Sequence, residues 1–92
     1  MNRLEELRKE INSCDEEMIK LFKKRMDAVR EVILYKIENN LDILDLKREE
    51  EIIKRNLAIL NNSELEKYYI EVFNSILSSS KEYQADIRKA IK

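Results

Sequence analysis

An all-α fold is what this sequence predicts, and three observations carry the prediction. The 92 residues include no Gly and no Pro, 40% of them are charged, and the apolar residues recur three and four apart over long stretches. Gly and Pro supply most tight turns, so their absence leaves helices joined by short loops of Asn, Asp and Ser. The expected architecture is three helices in one domain over residues 1–92, the first of them very long.

The first helix is read from about Asn2 to Glu38. Leu4, Leu7, Ile11, Cys14, Met18 and Leu21, then Ala28, Val32 and Tyr35, keep a heptad spacing broken once, by Arg25. At 1.5 Å per residue such a helix spans roughly 54 Å, whereas a compact domain of this size has a radius of gyration near 13 Å. The stripe runs to both ends of a helix that outreaches its own domain. A second copy of the chain is therefore expected to cover it, giving an intertwined homodimer. Asn39-Asn40-Leu41-Asp42 interrupts the pattern, and Asp45 is expected as the N-cap of a second helix reaching about Leu60. Asn61-Asn62-Ser63 is the second interruption, with Ser63 as N-cap and Glu66 completing a capping box. The third helix then runs to about Ile91 on a stripe of Leu65, Tyr69, Val72, Phe73, Ile76, Leu77, Tyr83, Ile87 and Ile91.

Charge and composition narrow the function. With 18 basic against 19 acidic residues, a net charge of −1 and no basic block, nucleic acid is not an expected partner. The chain has no His and only Cys14, so neither a disulfide nor a metal site is expected. Any chemistry falls to Arg, Lys, carboxylates and amides. No leader-like apolar stretch occupies the first 30 residues and no run approaches the roughly 18 apolar residues of a membrane span, so a soluble, cytoplasmic chain is expected.

Polar residues interrupt or border the apolar stripes on all three helices. Arg25 and Lys36 are 11 residues apart, about 20° of rotation and roughly 16 Å, so both point to one side and can bracket a small molecule. Ser80 and Gln84 stand at i and i+4 in the gap between Ile76 and Ile87. Asp45, Arg48 and Glu49 occupy the start of the second helix. Taken singly, each has a plainer reading. Arg25 is then a register-setting residue, Asp45 a cap, Glu49 a solvated first-turn acid, Ser80 a packing residue, Gln84 a surface amide and Cys14 core.

Taken in order, they carry a family pattern. Leu7-Arg8-x-x-Ile11-x-x-x-Asp15, then Arg25, Lys36, Asp45-x-x-Arg48-Glu49 and Ser80-x-x-x-Gln84, resembles the all-helical chorismate mutases of the bacterial three-helix type over about residues 4 to 84. The resemblance implies rearrangement of chorismate to prephenate, without a cofactor, in a homodimer with two active sites. It implies that Arg25 and the partner's Arg8 hold the two carboxylates of the substrate. Lys36 and Gln84 would donate to the ether oxygen, Glu49 with Asp45 would orient the ring hydroxyl, and Arg48 and Ser80 would support the carboxylate end. The loop over residues 39–44 lacks Gly and Pro, which departs from the pattern without removing a functional group.

Helix geometry agrees with a shared site. Arg8 lies 17 residues before Arg25, about 25 Å along the axis and roughly 100° around it, so the two cannot grip one small ligand within a chain. Counting the partner's Arg8 with Arg25, Lys36 and Arg48 against Asp45 and Glu49 gives +4 −2 = +2, suited to a dicarboxylate. Two other classes fit part of the pattern. An isochorismate pyruvate lyase would use the same scaffold and cations, and a non-catalytic helical dimerisation module would explain the heptads alone.

Overall fold

The computed structural model describes residues 2–91 and contains three helices: α1 (Arg3–Glu38), α2 (Leu46–Leu60) and α3 (Glu66–Ile91). α1 begins where Asn2 caps it, its side chain accepting from the Glu5 N–H at 2.9 Å. Asp45 caps α2 as the sequence predicts, accepting from the Arg48 N–H at 3.0 Å. The expected cap at Ser63 is displaced by one residue. Asn62 takes the role, accepting from the N–H groups of Glu64 and Leu65, and one turn over residues 63–65 leads into α3. An Asn side chain reaches the N–H two and three residues on as readily as a Ser hydroxyl does, and here it stands first in the chain.

Two asparagines do the work that glycine usually does at helix ends. α1 closes with the Leu41 N–H on the Lys36 carbonyl (2.8 Å) and the Asn40 N–H on the Ile37 carbonyl (3.3 Å), a Schellman pattern. Its left-handed residue is Asn40, at φ 56°. α2 ends on Asn61, at φ 45°, whose N–H bonds to the Leu57 carbonyl at 3.0 Å. Asn tolerates this region better than other residues with a Cβ.

α3 is the element on which the other two rest: it packs on both α1 and α2, which do not pack on each other. The core is small, consisting of Ile33 from α1 with Phe73, Leu77 and Ile87 from α3. Ile33 lies off the predicted seam, whose Val32 and Tyr35 are exposed at this end. α1 therefore carries two apolar faces about 100° apart. Met26, Val29, Ile33 and Ile37 form the one turned toward α3, and the heptad stripe forms the other.

Residues 2–24 are exposed throughout, with Leu4, Ile11, Met18 and Leu21 each more than half accessible. The molecule measures 55 × 27 × 15 Å. Its radius of gyration of 16.7 Å exceeds the roughly 12 Å of a compact chain this long. No helix among the described residues is long and apolar enough to cross a membrane.

Replacing Asn61 by Ala should destabilise the chain by about 1 kcal/mol, because a Cβ without a compensating polar group is strained in the left-handed region. Asn61→Gly should not. Urea denaturation midpoints of the two variants check this.

Candidate active site

The space left between α1 and α2 is a cavity of about 210 Å³ floored by α3. Its apolar walls are Val29 and Val32 of α1, Ile43 of the connecting loop, Ile52 of α2 and Leu77 of α3. Into it the helices bring Arg25 and Lys36, Asp45, Arg48 and Glu49, and Ser80, Lys81 and Gln84. Seven of the eight residues singled out in the sequence thus stand around one cavity. Arg8 is the eighth; it lies on the exposed N-terminal half of α1 and does not line the cavity of its own chain.

Six of the eight polar side chains around the cavity are held by identifiable contacts. The Arg25 guanidinium donates to the Ser80 hydroxyl and lies 5.7 Å from the centroid of the Phe73 ring, which is itself stacked on Tyr69. The Ser80 hydroxyl donates in turn to the Ile76 carbonyl at 2.8 Å. The Lys36 ammonium donates to the Ile43 carbonyl at 3.0 Å, while its own backbone carbonyl closes the end of α1, so both ends of Lys36 are tied to one loop. That loop is tied on its far side as well, because Arg88 of α3 donates to the Leu41 carbonyl at 2.8 Å. Fixed Lys and Arg groups keep spare donors, since an ammonium has three and a guanidinium five.

Ser80 and Gln84 are buried, at 5% and 8% exposure, in the middle of the packing face of α3. Gln84 is the exceptional group: its Oε1 is buried and has no hydrogen-bond partner. A buried amide edge without a partner carries a desolvation cost, and in a native chain it marks a place that a ligand or water satisfies. Turning the amide over presents an N–H donor at the same point.

Lys81 is the cavity residue that the sequence reading missed. Its ammonium is 3.3 Å from Glu49 Oε1, bridging α3 to the first turn of α2. The signal was present, since Lys81 follows Leu77 by four residues and precedes Gln84 by three and so shares their helical face. Within one chain the lining sums to Arg25, Lys36, Arg48 and Lys81 against Asp45 and Glu49, +4 −2 = +2, before any residue of a second chain is added.

The family model described as chorismate mutase type II matches residues 7–85, most of the chain and all of this cavity. The chain belongs to that family. A chorismate mutase/prephenate dehydratase of Buchnera aphidicola subsp. Acyrthosiphon pisum (strain APS), described as bifunctional, is 32% identical to it over 83 residues. That alignment takes in 89% of this chain and 22% of the relative, so the chain spans about a fifth of the relative's length. No solved structure matches the chain.

The unpartnered amide sets up a stability test independent of any reaction. Gln84→Met keeps the length of the side chain and removes the buried polar atoms, so it should stabilise the fold by about 1 kcal/mol. Urea denaturation of the two proteins reads the difference.

Proposed function

We propose that this chain is a chorismate mutase, converting chorismate to prephenate by an intramolecular Claisen rearrangement. The observation that carries the proposal is the cavity between α1 and α2. It combines cations from all three helices with two buried polar residues on the floor, one of them with an open amide edge. Family membership and the mutase half of the relative's name support the same reading.

The reaction breaks an ether C–O bond and forms a C–C bond within one molecule, with no proton or electron entering or leaving. It is accelerated by holding the enolpyruvyl group over the ring and by stabilising the charge that gathers on the ether oxygen. Arg25 and the partner's Arg8 are the proposed holders of the two carboxylates, Arg48 supports the carboxylate end, and Ser80 keeps Arg25 in place. Lys36 and Gln84 are the proposed donors to the ether oxygen, and Glu49 with Asp45 the acceptors for the ring hydroxyl. The chain's own side chains suffice, so no cofactor is invoked. The proposal places the reaction in the cytoplasm, supported by the 40% charged composition and by the lack of a membrane-crossing helix among the described residues.

The proposal includes a homodimer in which Arg8 completes the partner's site. The exposed stripe of α1 continues into an apolar groove of about 530 Å³ against α3, lined by Met18, Ile19, Leu21, Phe22, Val72 and Ile76. An exposed apolar surface this continuous is what a second copy would bury.

Purified protein mixed with chorismate should consume its ultraviolet absorbance and yield a product that acid converts to phenylpyruvate. A folded dimer that leaves chorismate untouched would overturn the reading. Lys36→Ala should lower turnover by roughly 10² to 10³ while leaving helicity unchanged. Arg8→Ala and Lys36→Ala chains, each nearly inactive alone, should on mixing regain about a quarter of wild-type turnover. Half of the dimers are then mixed, and each of these holds one intact site. No recovery on mixing, with exchange of subunits demonstrated, would place Arg8 outside the site.

A further inference from the structure

Among the described residues, Lys81 and Glu49 form the one ion pair whose partners come from different helices. The other two, Arg3 with Glu6 and Lys20 with Glu17, join residues three apart on α1 and stand largely in solvent. The Lys81 and Glu49 side chains are 36% and 21% exposed, and both residues line the cavity. Surface pairs of the first kind contribute little, whereas a half-buried pair between elements fixes the direction of both side chains.

The division of hydrogen bonds at Glu49 is informative. Lys81 occupies Oε1, and Oε2 accepts nothing among the described residues. An ionised carboxylate is an acceptor only, so the vacant oxygen selects a donor such as a hydroxyl and not a carbonyl or a second carboxylate. Without Lys81, a glutamate on the first turn of α2, with three rotatable bonds and its neighbours in solvent, has nothing to keep it against the cavity.

We propose that Lys81 is a positioning residue for specificity: it clamps one oxygen of Glu49 so that the other accepts the ring hydroxyl of the substrate. This rests on the reading that the cavity takes chorismate. Lys81 acts through Glu49 and does not itself grip the substrate, whose carboxylates have Arg25 and Arg48 available in the same cavity.

Steady-state kinetics of Lys81→Met, Lys81→Arg, Glu49→Gln and the double variant Lys81→Met/Glu49→Gln test the proposal, with chorismate as substrate and its analogue lacking the ring hydroxyl as competitive inhibitor. Lys81→Met should raise KM about tenfold and change kcat little, since the hydroxyl contact is made alike in ground and transition states. Lys81→Arg should restore KM. The inhibition constant of the deoxy analogue should be the same for wild type and Lys81→Met, and Lys81→Met should add nothing in the Glu49→Gln background. An unchanged KM for Lys81→Met in an active protein would overturn the clamp while leaving the mutase reading intact. Equal weakening of substrate and deoxy analogue would overturn it too, by assigning Lys81 to the carboxylates. A folded wild type that does not turn over chorismate would remove the underlying reading and the clamp with it.

Discussion

α1 and α2 do not pack against each other; each leans on α3, and the gap between them is the cavity. A bundle in which all three helices met would have filled that space with side chains at the density of any protein interior. Here the filling is incomplete, and the charged groups that project into the gap carry a net positive charge. α3 must therefore present a floor that is dry where it carries Phe73, Leu77 and Ile87 and polar where it carries Ser80 and Gln84. The position of every other group follows from how the flanking helices are pinned to that floor. Arg25 is pinned through Ser80 and Phe73, Glu49 through Lys81, and the loop after α1 through Arg88.

This arrangement has an energetic cost that the chain alone does little to offset. Four apolar side chains make up the buried core, and two places on the same face of α3 go to polar residues. One of these leaves an acceptor unsatisfied. Small domains are marginal even with a full core, and a 36-residue helix whose N-terminal half is exposed throughout adds ordering entropy with little burial. The proposed second copy meets the stability need and the proposed catalytic need with one surface, because the residues that would cover the overhang are carried on the same helix as Arg8.

Much of this was legible in the sequence. The three helices, the Asp45 cap and the polar residues set into the stripe of each helix follow from helical spacing, whereas the gathering of Arg25, Lys36, Asp45, Arg48, Glu49, Ser80 and Gln84 around one site came from the resemblance of their ordered pattern to a known family. Where the reading slipped, the reasons are physical. α1 has two apolar faces, and a heptad search follows the more regular one, so Ile33 was passed over although it alone is completely buried. Ser63 and Asn62 are both competent caps, and spacing cannot choose between neighbours. Lys81 hid in a different way: a lysine beside acidic residues reads as solvated, and only the approach of α2 to α3 brings Glu49 within reach.

α1 is one continuous α-helix from its cap at Asn2 to its Schellman end at Asn40. It therefore works as a ruler. One residue inserted between Arg8 and Arg25 would shift everything on one side by 1.5 Å and turn it by about 100° relative to the other, moving the exposed stripe off the axis of the cavity cations. The smallest insertion that nearly restores the rotation is about seven residues, and that would lengthen the rod by about 10 Å. A substitution on the outer face of such a helix leaves this geometry alone, whereas an insertion or deletion within it does not. The length of α1 is thus a more restrictive inheritance than most of the residues along it.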